Sequence, residues 1–524
     1  MPDLIPVRII RGSQTAEVRA VPGTSLLDLL RAHDQPLHTP CGGRGTCRKC
    51  RVILNGRDTA LACQYFVNAP CTVEVPTGRR ALIQKAASEH IREVAPDCGI
   101  RTVTERGLTT VYCGERILTD SRQTPGLKPF PYGLAVDIGT TTVVVHLMDL
   151  SRYETVGTTA FLNPQAEFWQ DVISRIHYSM ENARGLRHLQ QKILDALNNG
   201  IGALCADEGI APYQIFKAVF AANTTMLHLL LGVDPRTIAL APFTPAFTDS
   251  KRLTASDLGL SAHPEAAVIT LPSVSGYVGA DITAGLTASP LPKADRPSLF
   301  IDLGTNGEMA IGNRSFLLAC STAAGPAFEG ARIECGVGGI EGAISKYRDN
   351  RYETLGNARP IGICGSGLID IVANLLEQEK ISPEGLLEEP FVVAPQTEND
   401  ADHDIVLTPR DVRETQLAKG AVAAGIRVML KEAGLDFNDL DKIYLAGGFG
   451  SFIDIRSAVR IGLLPRAMYG RIVSIGNAAG AGARLSLISR DFERQVQAIR
   501  DRCRYIELSG RADFNDFFMD EMVF

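Results

Sequence analysis

The decapeptide CGGRGTCRKC at residues 41–50 holds three cysteines, and a fourth, Cys63, follows in the string ALACQ. The spacing Cys-x5-Cys-x2-Cys-x12-Cys sets four thiols close along the chain, with Gly42, Gly43 and Gly45 between the first two. Four thiolates on a tight loop suit an iron–sulfur cluster, because glycines let the backbone wrap closely and turn N–H groups toward the sulfides. A zinc ribbon usually shows two Cys-x2-Cys knuckles, and only Cys47 and Cys50 form one here. A [2Fe–2S] cluster on Cys41, Cys47, Cys50 and Cys63 is therefore the expected occupant, with zinc or a structural role as alternatives. Among the other cysteines, Cys71, Cys98, Cys113, Cys205 and Cys503 are isolated and read as small buried apolar side chains. Cys320, Cys335 and Cys364 share one region, but their wide spacing matches no ligand motif.

A second constellation occurs twice. LAVDIGTTTVVVHLMDL (residues 134–150) and LFIDLGTNGEMAIGN (299–313) each run an apolar strand into an aspartate, a Gly-Thr turn and a second apolar strand. Asp137 and Asp302 lie 165 residues apart, so the repeat is a domain-sized duplication. Turns of this kind, at Gly139 and Gly304, offer backbone N–H groups and hydroxyls to phosphate oxygens. The aspartate at the strand end can orient a hydrated Mg2+, which favours carboxylates, water and phosphate. One copy alone could be an ordinary hairpin turn. A third element strengthens the nucleotide reading: helix-like residues 415–434 lead into KIYLAGGFGSFIDIRSAVRIGLLP, a buried strand followed by Gly447, Gly448, Gly450 and another helix. Glycines there let the backbone approach a planar base and ribose with no Cβ in the way.

These groups need elements to hold them. VRIIRGSQTAEVRAVPGTSLLDLLRAH reads as a hairpin followed by a helix, and RVILNG as a strand directly after the cysteine loop. That order resembles the N-terminal part of the plant- and adrenodoxin-type [2Fe–2S] ferredoxin fold. The interval from Cys50 to Cys63 is nearer to that of the iron–sulfur domains of molybdenum hydroxylases. Residues 79–94 have helical spacing, IRTVTERGLTTVYCG is β-like, and SRQTPGLKPFPYG marks a boundary. The expected organisation is a multi-domain α+β and α/β chain. A β-grasp ferredoxin-like domain would occupy residues 1–78 and a small linker domain 79–131. The two halves of a duplicated body would follow at 132–296 and 297–524, and the resemblance described next implies an actin-like ATPase fold for it.

Two Asp-Gly-Thr hairpins followed by a Gly-Gly turn resemble the acetate/sugar kinase, heat-shock ATPase and actin superfamily. GYVGADITAG (276–285) and SIGNAAGAGA (474–483) look like its two connecting helices. With NPQ (163–165), DVISRI (171–176), NTTMLH (223–228), AGPAFEGA (324–331) and GICGSGLID (362–370), the whole chain resembles the reductive activators of corrinoid-dependent methyltransferase systems. The resemblance implies an enzyme that hydrolyses ATP and passes one electron from the cluster to a corrinoid protein, returning inactive Co(II) to Co(I). It implies that Asp137 and Asp302 position Mg2+ or the attacking water. Thr140, Thr141, Thr142, Thr305 and Asn306 would contact phosphates, and Gly447, Gly448 and Gly450 would floor the nucleotide. Asp281 either orients water or is a surface helix carboxylate, and Glu308 stands in the same position. The loop at 319–331 would face the corrinoid partner or form a tight nucleotide-side turn. Trp169 and the histidines read as structural or exposed. The alternatives are an activator of another enzyme, such as a 2-hydroxyacyl-CoA dehydratase, and a small-molecule kinase of the same superfamily.

Composition narrows the setting. The 524 residues carry a net charge of −6, against a nucleic-acid binder with its basic face. The most apolar run, FKAVFAANTTMLHLLLGV, is interrupted by Asn223, Thr224, Thr225 and His228, so no membrane span is expected. The N-terminus has no signal-peptide pattern, and a cytoplasmic setting would keep clustered cysteines reduced for metal or redox work. Besides the corrinoid protein, the expected partners are a low-potential electron donor and a second copy of the chain in a homodimer.

Overall fold

In the computed structural model, the described residues are 4–33, 35, 37, 39, 43, 45, 50–76, 93–167, 171–304, 306–401, 403–447, 450 and 452–524. Cys41, Cys47, Trp169, Thr305, Gly448 and nearly all of the helical reading over 79–94 lie outside them.

The N-terminal sheet runs in the order Gln14–Ala20, Ile5–Arg11, Cys71–Glu74, Arg51–Leu54, Asp58–Leu61. Ile5–Arg11 pairs antiparallel with Gln14–Ala20 and parallel with Cys71–Glu74. Alternation along these strands sends Val7, Ile9, Val52 and Val73 to one face. The helix Leu26–Ala32 covers that face with Leu26, Leu27, Leu29 and Leu30. This is the β-grasp, ferredoxin-like arrangement the sequence implied.

The strands Ile100–Glu105, Leu108–Cys113 and Arg116–Asp120 form a three-stranded meander. It is built from the β-like stretch read in the sequence and one further strand.

The remaining chain builds the same sheet twice. In the first half, Glu154–Leu162, Thr142–Asp149 and Tyr132–Ile138 form an antiparallel meander, and Ile215–Ala222 and Ala267–Thr270 extend it in parallel. In the second half, Leu317–Thr322, Gly307–Gly312 and Ser298–Leu303 form the matching meander, extended by Ile443–Ala446 and Ile472–Gly476. Ile215–Ala222 is buried at every position, as a central parallel strand covered on both faces must be. Each sheet then feeds a connecting helix, Ala280–Ala288 and Ala478–Ile488. The two helices touch through small residues: a Cβ on Gly285 would sit 3.0 Å from Ala478 Cβ. This duplicated body is the actin-like fold the hairpin repeat implied. No helix among the described residues is long and apolar enough to cross a membrane.

Candidate active site

A cleft of about 1980 Å3 lies between the two meanders. Asp137 ends the strand Tyr132–Ile138, opposite Val144 on one side and Ala221 on the other. Asp302 holds the equivalent place, opposite Glu308 and Ala446. Each strand then turns tightly, Gly139 N–H donating to Thr142 O at 2.9 Å and Gly304 N–H to Asn306 O at 3.1 Å. Thr140, Thr141 and Thr142 line the cleft from the first turn and Asn306 from the second. Gly447 also lines it, with φ at +93°, and a Cβ there would sit 2.6 Å from Asp302 Oδ1. Only glycine lets that turn lie against the carboxylate. At Gly450 the missing side chain lets the backbone pack against Ala446 O.

Of the acids that line this cleft, Asp137, Asp281, Asp302 and Glu308 stand close enough to act on one another. Burial raises Asp137 to about 6, opposed by a hydrogen bond from Asn477. Burial and then the nearby Asp137 raise Asp281 to about 7. Burial, Asp281 and Asp137 raise Asp302 to about 8, and burial first of all lifts Glu308 well above the carboxylate range. Asp281 is thus a cleft residue rather than a surface helix carboxylate. Like charges brought together out of water favour an added cation. Among the described residues, no three such side chains already converge as a metal cage.

Sequence motifs without a stated role turn out to brace the first phosphate turn. Asn163 of NPQ donates from Nδ2 to Gly139 O at 2.9 Å, and its N–H to Thr141 O at 2.8 Å. Arg175 of DVISRI is fully buried and donates to Thr140 O at 2.5 Å and to Gln165 Oε1 at 3.3 Å. Asn223 of NTTMLH caps the helix Thr224–Leu231 and donates from Nδ2 to Thr140 Oγ1 at 3.1 Å. His228 in the same motif is structural, stacked on Phe247 and hydrogen-bonded to Thr224 O. From the second half, Glu329 accepts from Thr141 Oγ1 at 3.0 Å and Asn477 Nδ2 donates to Asp137 Oδ2 at 2.8 Å. Glu329 and Phe328 line the cleft, so part of the 319–331 loop forms its wall. Sequence reasoning marked these motifs but missed the side chains that matter. The signal available was polar residues set inside otherwise apolar, small-residue runs.

At the other end of the chain, Cys50 is buried and its Sγ lies 3.2 Å from that of Cys63. Two thiolates ~2.3 Å from one tetrahedral ion stand roughly 3.8 Å apart, so this pair needs to open by only about half an ångström. Gly43 and Gly45 adopt φ of +93° and +77°. A Cβ on Gly43 would lie 3.0 Å from Leu27 Cδ2, and one on Gly45 2.9 Å from Gln64 Cδ. The described part of this loop fits an iron–sulfur cluster in sulfur donors and in backbone closeness. The cysteines at 320, 335 and 364 take separate partners: Cys364 Sγ donates to Ile344 O at 3.2 Å, Cys335 Sγ lies 3.8 Å from His403 Nε2, and Cys320 is buried in the sheet.

Comparison with known proteins agrees with this geometry. Residues 9–68 match a 2Fe-2S iron-sulfur cluster binding domain, residues 132–294 the RACo middle region, and residues 296–524 the C-terminal domain of RACo, the ASKHA domain. The chain is 32% identical to the corrinoid activation enzyme RamQ of Eubacterium limosum, over 93% of this chain and 94% of that one. It is 24% identical to a [Co(II) methylated amine-specific corrinoid protein] reductase of Methanosarcina barkeri, covering 75% and 77% of the two chains. A solved structure described as a reductive activator for corrinoid, iron-sulfur protein superposes with a TM-score of 0.75 at 32% identity, over 99% of this chain and 98% of that one. With a ferredoxin-like domain in front of a duplicated nucleotide cleft, and likeness along nearly its whole length, the chain belongs to the family of corrinoid activation enzymes.

Proposed function

We propose that this protein uses ATP hydrolysis to pass one electron at a time from a [2Fe–2S] cluster to the corrinoid protein of a methyltransferase system. The corrinoid cobalt gains that electron, and Co(II) becomes the nucleophilic Co(I). One observation carries the reading: a close cysteine pair and a carboxyl-lined cleft occur in one chain. A small-molecule kinase would have no use for the first, and a simple ferredoxin none for the second.

Residues 1–78 carry the electron in this reading, 79–131 link, and 132–296 and 297–524 close on the nucleotide. Cys41, Cys47, Cys50 and Cys63 hold the cluster, which when bound supplies single electrons at low potential. Gly43 and Gly45 keep the surrounding backbone close. Thr140, Thr141, Thr142, Thr305 and Asn306, with the N–H groups of the two glycine turns, hold the phosphates. Asn163, Arg175 and Asn223 fix the first turn so that its donors are aimed before the nucleotide arrives. Asp137 and Asp302 orient Mg2+ and its water, with Asp281 and Glu308 in the same acidic wall. Asn477 keeps Asp137 turned into the cleft from the opposite half. Gly447 and Gly448 floor the nucleotide, and Gly450 shapes the turn behind them. A low-potential donor recharges the cluster, two copies assemble as a homodimer, and the setting is the cytoplasm.

The test is anaerobic reduction of a purified corrinoid protein by the reduced holoenzyme, followed by cobalt absorption with and without Mg-ATP. Co(I) is expected only with nucleotide. Equal Co(I) without it would reject the coupling, and no Co(I) under either condition would reject the partner.

A further inference from the structure

The two phosphate turns carry a donor at the same place. Counted from the strand-end aspartates, Thr141 in DIGTTT is the counterpart of Asn306 in DLGTNG, and both line the cleft. Each gives a proton to an acid. Asn306 Nδ2 donates to Glu308 Oε1 at 3.3 Å, within its own hairpin. Thr141 Oγ1 donates to Glu329 Oε2 at 3.0 Å, and Glu329 comes from the opposite half. A hydroxyl has one proton to give, whereas the Asn306 amide has two. A ligand phosphate can be received at Asn306 with the Glu308 bond kept. At Thr141 it must take the place of Glu329.

The backbone under Glu329 is fixed. The residue ends the single turn Pro326–Glu329, whose Ala327 and Phe328 are buried in the second-half core. A Cβ on the next residue, Gly330, would lie 2.3 Å from Val337 O, and the turn packs on the helices Gly365–Glu377 and Pro409–Ala433. The Glu329 side chain itself is half-buried at the cleft wall. Behind the first phosphate turn, burial lowers Arg175 to about 10, with Asp171 and then Glu329 opposing. The Glu329 charge thus acts through the turn from its cleft side. A phosphate oxygen set on Thr141 would meet that charge directly, and two anions at one site repel.

The order of groups along the cleft says which phosphate is concerned. Gly447 stands against the second turn, a Cβ there being 2.6 Å from Asp302 Oδ1. A nucleoside along Gly447 starts on that side, and its phosphate chain crosses toward the first turn. The terminal phosphate of ATP reaches Thr141, and ADP stops one phosphate short. We propose that Glu329 is a gate for the terminal phosphate, keeping the Thr141 hydroxyl when ADP is bound and giving it up to ATP. The bond across the cleft then differs between the two nucleotides. The inference rests on the nucleotide reading given above, and a role for Glu329 as base toward the attacking water is its competitor.

Calorimetric titration of the full-length holoenzyme with Mg-ADP and with the Mg complex of a non-hydrolysable ATP analogue separates these. Glu329→Gln and Glu329→Ala both remove the competing charge. Each variant should bind the analogue about tenfold more tightly than the wild type does, with ADP affinity held within about twofold. The ratio of the two dissociation constants is taken within a single variant, so a general loss of affinity or stability does not disturb it. A ratio unchanged in both variants would overturn the gate, as would ADP tightening in step with the analogue. An unchanged ratio with ATP turnover lost would give Glu329 the role of base instead. Failure of the wild type to bind either nucleotide would overturn the nucleotide reading itself, whereas binding of both with an unchanged ratio overturns the gate alone.

Discussion

Replacing Gly482 by Ala tests whether the crossing of the connecting helices sets the geometry of the cleft. A Cβ at Gly482 would lie 2.5 Å from Ala284 C and 2.7 Å from Ala284 Cβ. Ordinary contact needs roughly 3.5 Å or more, so the helices must part by about 1 Å. Overpacking of that kind costs ~1–3 kcal/mol. Alanine also returns about 1 kcal/mol of helix propensity relative to glycine. Gly202→Ala isolates that gain, because its helix is long and nothing lies within 4 Å of the new Cβ. The expected order in thermal melts is Gly202→Ala above wild type, and Gly482→Ala below Gly202→Ala by ~1–3 kcal/mol. Activity should fall further than stability. Gly482 shares its helix with the cap residue Asn477, whose Nδ2 is 2.8 Å from Asp137 Oδ2. A shift of about 1 Å would carry that pair beyond hydrogen-bond range. Losing a hydrogen bond to a charged group is worth ~1.5–3 kcal/mol, so ATP turnover should drop by roughly tenfold or more. If Gly482→Ala matched Gly202→Ala in both melting and turnover, the helix crossing would not set the site.

Three further outcomes follow from particular residues. Cys50→Ser should strip the visible absorption and iron of the cluster while leaving partner-free ATP hydrolysis unchanged, since Cys50 belongs to the core of the N-terminal domain; loss of ATP hydrolysis as well would refute the modular reading. Burial lowers the Lys419 ammonium to about 8, with Glu521 opposing. The unfolded chain then holds more protons between pH 8 and about 10.5, so this group's cost, ~3 kcal/mol below pH 8, is relieved as pH rises through that window. Urea titrations should show the stability difference between wild type and Lys419→Met narrowing from pH 8 to 10.5, and a constant difference would contradict the assignment. Lys217→Met should loosen the meander at 100–120, read as faster amide exchange there, with ATP affinity kept; protection unchanged at Cys98–Cys113 would show that the lysine is not the tie.

Fold was legible where pattern is local. Val7 and Ile9 alternate in the first strand, Leu26, Leu27 and Leu30 repeat on the first helix, and the two Asp-Gly-Thr hairpins quote each other across the chain. The candidate site was legible only in its backbone parts. Asp137, Asp302 and the glycine turns carry the pattern in sequence because strand, turn and carboxylate are consecutive. Arg175, Asn223 and Asn477 reach the first turn from segments 35, 83 and 340 residues from their partners. No periodicity reports such a contact, since it is fixed by how the sheets and connecting helices stack. Asp281 was ambiguous for the same reason: its place in the first turn of a helix is visible in the sequence, but which way that turn faces is not. Gly450 shows the same limit: a glycine that packs closely against Ala446 O looks the same, in sequence, as one needed for a ligand.

The tie made by Lys217 bears on how an electron could be pushed uphill. The helix Ala478–Ile488 ends with carbonyls that its own turns cannot satisfy. Lys217, buried in the first-half sheet, donates to Leu487 O at 3.0 Å, Ser486 O at 3.3 Å and also Cys98 O at 3.3 Å. Asp97 completes the junction, its N–H on Ile488 O at 2.7 Å and its carboxylate on Arg490 at 2.7 Å. At the helix's other end, Asn477 holds Asp137 in the cleft. One rigid element of 11 residues, about 16 Å long, thus joins the phosphate site to the segment that follows the ferredoxin-like domain. A one-electron step that is ~100 mV uphill needs about 2.4 kcal/mol. A nucleotide can supply this only by favouring one arrangement of protein and partner over another, and that energy corresponds to a roughly fiftyfold difference in affinity between the two. A difference of that size needs only one or two charge-assisted hydrogen bonds made in one state and lost in the other. The Asn477–Asp137 contact at one end of the helix is a bond of that kind, while the exposed Asp97–Arg490 pair at the other adds at most ~1 kcal/mol. The electron carrier and the ATPase are therefore joined at a place where a small change in the cleft has a short, stiff path to the carrier's tether.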